Sequence, residues 1–187
     1  MLYHIQQVKD SFTECVYKKA LIVSEISVVR FLHIQKASPK DISFIVRIHK
    51  ACVRTINTRV YSQSHVRVWL RQISAKKVQK QFKSSKWIVL RYDHKVIGFA
   101  QYSISNKTLY QINIAPRYMH GGYGRMLYEY IEKDFRKHQV KSIILNATLN
   151  AVEFYKALGF KRIKNIVFKL GTSCIKMILM QKRLRAY

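Results

Sequence analysis

The chain has 187 residues, 49% of them apolar, which suits one packed domain and excludes a disordered chain. Its 35 Lys and Arg stand against 9 Asp and Glu, and the resulting charge of +26 points either to a polyanionic partner or to a background bias spread over a solvated surface. No apolar run approaches the ~20 residues of a membrane span, the N-terminus lacks the order of a secretory leader, and Cys15, Cys52 and Cys174 form no CxxC, so a cytoplasmic protein without a metal site is expected.

Residues 1–30 read as an N-terminal extension in which Tyr3, Ile5, Val8, Phe12, Cys15 and Val16 could line one helix face; the main domain is taken as 31–187. Phe31 to Gln35 is a short strand. Ser38-Pro39-Lys40-Asp41 is a helix start, with a Ser cap, Pro in the first turn and Asp at the third position; the helix should run to about Thr55. Ser62 to Ile73 and Ala75 to Phe82 are further short helices. From Trp87 the period becomes two. Trp87 to Tyr92 and Val96 to Ile104 flank a turn at Asp93-His94-Lys95, and Thr108 to Ala115 adds a third strand. A helix from Gly122 to about His138, a strand Ser142 to Ala147 and a short helix Asn150 to Leu158 follow. Arg162 to Leu170 and Ile175 to Arg183 close the chain as strands.

The most informative segment is Pro116 to Leu127, where a strand feeds a glycine-rich turn that becomes a helix. Such a turn gathers unpaired N–H groups and the positive end of a helix dipole at one point, a ready site for phosphate. Gly122 and Gly124 would let the backbone approach a pyrophosphate closely.

This order of elements resembles the GNAT superfamily of acyl-CoA N-acyltransferases over roughly residues 31–184. The family's signature Q/R-x-x-G-x-G/A is matched by Met119-His120-Gly121-Gly122-Tyr123-Gly124, with Met119 in place of Gln or Arg. Its second signature, N-A-x-x-F-Y-x-x-x-G-F, is matched by Asn150-Ala151, Phe154-Tyr155 and Gly159-Phe160. The run from Ile48 to Ser62, followed by a Trp, is similar to small bacterial members of the YafP-like type. The resemblance implies an α/β (α+β) single domain: a mixed, mostly antiparallel sheet flanked by helices and splayed between strands 108–115 and 142–147.

It also implies acetyl-CoA as acyl donor. The amides of His120, Gly121, Gly122, Tyr123, Gly124 and Arg125 would bind its pyrophosphate, with Met119 beside them. The strand Ile112-Asn113-Ile114 would pair with pantetheine, and an N–H near Ile114 would polarise the thioester carbonyl. Tyr155 is the candidate general acid toward the thiolate, its alternative being packing. Asn150 would cap the short helix and touch the cofactor. Tyr61 and Tyr110 are candidates for the acceptor pocket, with Trp69 beside them or in the core. Relatives often carry Glu or Asp on the central strand as the base; Tyr110, Gln111 and Asn113 stand there instead, and a water relay through Tyr110 or another polar group is expected. The implied activity is acetyl transfer to a primary amine of a small molecule or peptide in a ternary complex. An RNA-linked acceptor such as aminoacyl-tRNA, or an inactive binding module, are the alternatives. The chain would act as a monomer or homodimer.

Overall fold

The computed structural model describes residues 31–184, so the candidate helix in residues 1–30 lies outside it. Strand β1 is Leu32–Lys36, and the helix start that follows is built as its sequence requires. The Asp41 carboxylate accepts the Ser38 backbone N–H (2.8 Å) and the Ser38 hydroxyl (3.0 Å), so the donors at the helix entrance are satisfied. Pro39–Asp41 forms a single 3-10 turn, and α1 runs Ile42–Thr55. Asp41 is fully buried and takes the Arg91 guanidinium on its second oxygen (2.5 Å), fastening the start of α1 to the sheet. Helices α2 (Gln63–Gln72) and α3 (Ala75–Gln81) are each capped by a serine hydroxyl, Ser62 receiving the His65 N–H and Ser74 the Lys77 N–H.

The hairpin of β2 (Lys86–Tyr92) and β3 (Lys95–Ser103) turns at Asp93-His94, with Asp93 left-handed at φ 54°. Then come β4 (Thr108–Ile114), α4 (Tyr123–Lys137), β5 (Ser142–Thr148), α5 (Val152–Ala157), β6 (Lys161–Leu170) and β7 (Ser173–Arg183). The sheet runs β1-β2-β3-β4-β5-β7-β6, and each neighbouring pair is antiparallel except β4 with β5. That parallel pair meets at one position, Thr108 opposite Ile144. Beyond it the two central strands part, as the resemblance implies.

Side chains alternate across the sheet and separate two cores. Ile88, Leu90, Ala100 and Tyr102 pack with Leu127, Ile131 and Phe135 of α4. Trp87, Val89 and Phe99 pack on the other face with Ile45, Ile48 and Cys52 of α1 and Val78 of α3. A third cluster joins Val53, Tyr61 and Val66 to Ile175 and Met177, so α2 leans on the β6–β7 hairpin. At about 1.5–3 kcal/mol for each large side chain fully buried, these cores hold the parted strands in place from both sides.

Candidate active site

The parted strands open into a cleft of about 1180 Å³. Its floor at one end is the turn into α4. Gly122 sits at the helix N-cap with φ 77°, a conformation glycine adopts without penalty, and a Cβ added there would meet nothing within 4 Å. The space above the turn is thus open. A Cβ on Gly124 would instead stand 3.2 Å from the Phe154 ring, so that glycine serves the approach of α5 to α4. No side chain caps α4, and its first turn holds no acid. The helix ladder begins with Met126 N–H to Gly122 O (3.1 Å), leaving the amides of Tyr123, Gly124 and Arg125 pointing out of the helix end. His120 precedes them at φ 65°.

The wall beside the turn is β4. Ala115 N–H donates to Ile97 O (2.8 Å), which makes 97/115 a hydrogen-bonded pair of the β3–β4 ladder. Alternation then directs the main-chain groups of Ile112 and Ile114, partners of Ala100 and Gly98, away from β3 toward the parted side. Consistent with this, the Ile114 carbonyl accepts the Cys52 thiol from α1 at 3.2 Å. Burial pushes that thiol's pKa up to about 12 despite a backbone hydrogen bond, so Cys52 is an inert SH donor. Asn113, opposite Phe99, spends its main-chain groups on the ladder.

The opposite wall is α5. Tyr155 is buried between the rings of Phe154 (5.1 Å) and Phe160 (5.7 Å) and reaches the cleft. Burial raises its pKa well above the ordinary phenol range, so it stays protonated. Asn150 borders the cleft from the 3-10 turn Leu149–Ala151. It does not cap α5, whose N-cap is Ala151.

The roof is α1 to α3, and under it runs a chain of neutral polar groups that the sequence reading missed. Asn113 Nδ2 donates to Gln111 Oε1 (3.0 Å), Gln111 Nε2 to Gln101 Oε1 (2.8 Å), and Gln101 Nε2 to Ser85 Oγ (3.0 Å), which also accepts Trp87 Nε1 (3.1 Å). Gln101 interrupts the buried apolar run of β3, and that interruption was the available signal. His49 borders the same space from α1, on the stripe of Ile45, Ile48 and Cys52, again a polar residue among apolar ones. Burial holds its pKa down to about 4. Among the described residues no carboxylate lines the cleft, and no group of His, Cys, Asp and Glu is placed to hold a metal.

Of the residues singled out in the sequence, Tyr110, Ile112, Asn113, Ile114, Met119, His120, Gly122, Tyr123, Gly124, Arg125, Asn150 and Tyr155 come together around this cleft, as does Trp69. Gly121 and Tyr61 stand outside it. The Tyr61 hydroxyl donates to Lys176 O (2.7 Å) and accepts Leu149 N–H (3.1 Å), a structural clamp. Met119 packs against both cores beneath the turn.

A mixed sheet that parts at the β4–β5 parallel pair, with an uncapped helix N-terminus at the parting, is an architecture shared with GNAT acetyltransferases. The chain belongs to the GNAT family: the family model for the Acetyltransferase (GNAT) domain matches residues 57–181. Solved structures share the fold at low identity. The GCN5-related N-acetyltransferase of Rhodopseudomonas palustris superposes with a TM-score of 0.77 at 17% identity, over 81% of this chain and 94% of that one. PaiA N-acetyltransferase of Thermoplasma acidophilum, solved with coenzyme A, gives 0.68 at 22%, over 82% and 99%. YncA of Salmonella typhimurium, solved with acetyl-CoA, gives 0.61 at 16%, over 83% and 95%. No curated protein is matched by the sequence.

Proposed function

We propose that residues 31–187 form an N-acetyltransferase domain that moves an acetyl group from acetyl-CoA to a primary amine of a small molecule or peptide, by direct attack with both substrates bound. The observation that carries this reading is Gly122: a left-handed glycine with open space where its Cβ would be, at the uncapped N-terminus of α4 and at the mouth of the parted strands. A pyrophosphate fits that cradle by charge and by the outward amides of Tyr123, Gly124 and Arg125. Ile112 offers main-chain groups to the amides of pantetheine. The Ile114 N–H serves as donor to the carbonyl that takes on charge. Bound acetyl-CoA supplies the activated acyl group; the chain's own residues hold it, and Tyr155, kept protonated by burial, delivers a proton to the departing sulfur. The ligands named for PaiA and YncA support the choice of donor. The acceptor enters between the roof and the β4 wall, where Trp69 of α2 and Tyr110 of β4 border the cleft. The free thiols of Cys52 and Cys174 accord with a cytoplasmic setting.

Calorimetry with acetyl-CoA at physiological salt, using ATP as a polyanion control, tests the reading. Micromolar binding that ATP does not match is expected, and Gly122→Ala should weaken it by about tenfold or more. The alanine costs about 1–2 kcal/mol in the left-handed region and places a methyl in the cradle. No binding of acetyl-CoA, or equal binding of ATP, overturns it.

A further inference from the structure

We propose that His49 of α1 is the group that takes the proton from the attacking amine. The proposal rests on the acetyltransferase reading above and supplies the base that its central strand lacks. Four observations carry it. First, His49 borders the cleft and has no hydrogen-bond partner among the described residues, its one ring neighbour being Phe99 in an edge contact at 6.0 Å. Second, its place along α1 is fixed. Cys52, three residues on along the same helix stripe, touches the Ile114 carbonyl at 3.2 Å, which puts His49 about 4.5 Å further along the axis from that contact. Phe99 beneath it is the ladder partner of Asn113. His49 therefore stands over the stretch of β4 from Asn113 to Ile114, where the acetyl group is expected.

Third, the other candidates are spent or absent, and the Tyr110 hydroxyl, at the Thr108 end of β4, already accepts the Asn106 side-chain N–H at 2.8 Å. No carboxylate of the described residues lines the cleft, the Cys52 thiol is already donating, and Tyr155 lies on the far wall among aromatic rings. His120 belongs to the glycine turn at the pyrophosphate end. Fourth, the polar chain from Ser85 to Asn113 spends the Asn113 Nδ2 on Gln111 and leaves its side-chain carbonyl as an acceptor, on the residue that pairs with Phe99 beneath His49. The apolar walls keep the imidazole neutral at physiological pH, so its lone pair is available. A weak base suffices here, because the nitrogen becomes strongly acidic once bonded to the acetyl carbon. The amine enters the apolar cleft as its free base, its ammonium proton left in solvent; as the N–C bond forms and the C–S bond breaks, His49 takes one proton from nitrogen and Tyr155 gives one to sulfur. His49 then loses its proton to solvent and Tyr155 regains one from it.

The test begins with acetyl-CoA calorimetry on wild type and His49→Gln, so that failure of the acetyltransferase reading is seen before any amine is added. Coenzyme A release is then followed with ethanolamine, glycinamide, L-lysine and spermidine as acceptors. With acetyl-CoA affinity and KM unchanged, kcat of His49→Gln should fall by about 100-fold or more, and added imidazole should restore part of the turnover of His49→Ala. If His49→Gln fails to fold, His49→Asn takes its place. In parallel, the ring nitrogen resonances of His49 should move when these amines are added to the coenzyme A-loaded wild type. Turnover of His49→Gln within about threefold of wild type overturns the proposal, as does a wild type that binds acetyl-CoA while the His49 ring ignores all four amines.

Discussion

Tyr155 shows how one environment serves two ends. The same Phe154 and Phe160 rings that pack its face strip water from the phenol and raise its pKa, so that it holds its proton at physiological pH. A phenol of that kind ionises poorly alone; in the proposed reaction it acts as an O–H held at the departing sulfur, whose thiolate the same apolar surroundings make more basic than in water. Tyr155→Phe removes one oxygen from an aromatic cluster and leaves the packing intact. Its melting temperature and acetyl-CoA affinity should match wild type while kcat drops by about 100-fold or more, measured by steady-state release of coenzyme A. Unchanged turnover would mean that water protonates the sulfur and that Tyr155 only packs. The glycines divide along similar lines. Gly122 faces open space and Gly124 faces Phe154, so one leaves room for a ligand and the other for a helix, although both fit the same motif.

Between elements, Tyr61 is the joint that matters most. Its hydroxyl spans Lys176 O on β7 and Leu149 N–H ahead of α5, while its ring meets Trp69 of α2 edge-on at 5.7 Å. Tyr61→Phe leaves a carbonyl and an amide without their partner and should lower stability by about 1–3 kcal/mol, read from urea unfolding. Insensitivity to the change would mean that water replaces the hydroxyl at both ends. This joint was not legible in the sequence, which placed Tyr61 in the acceptor pocket, because its partners are main-chain groups 115 and 88 positions away. What was legible is local or periodic: the Ser38–Asp41 cap, the two short helices that follow α1, the alternation of β2 to β4, and the glycine turn between β4 and α4. The mostly antiparallel sheet and the splay between strands 108–115 and 142–147 came with the family resemblance and hold in the structure, where β4 and β5 pair only at Thr108 opposite Ile144. The polar chain under the roof did not read through, since Ser85, Gln101, Gln111 and Asn113 meet only after β2, β3 and β4 pair. Apart from Gln101 in its apolar run, each alone looks like an ordinary polar residue.

At the scale of the whole molecule, the charge acquires a direction from where the few acids are spent. Glu132 is paired with Lys182 and Arg136, Asp134 with Lys86, Asp41 with Arg91 and Glu153 with Lys156. The first two fasten α4 to β7 and β2, on the side of the sheet away from the roof. The cleft keeps Arg59, Lys77, Arg125 and Lys169 on its border, with no carboxylate of the described residues to offset them. Low-dielectric walls and a single sign of charge focus the field toward an arriving anion and can raise association rates by about 10-fold to 1000-fold. In the proposed pose the phosphates of acetyl-CoA lie at the Arg125 end of the cleft, so its capture should be steered. Raising ionic strength from about 0.05 to 0.5 M shortens the Debye length from about 14 to 4 Å and should slow association by about tenfold or more, with dissociation changing far less. Stopped-flow mixing with acetyl-CoA separates the two rates. A salt-insensitive association rate would mean that the excess charge acts away from the cleft, and a loss confined to dissociation would place the cations in direct contact with the ligand instead of in its path.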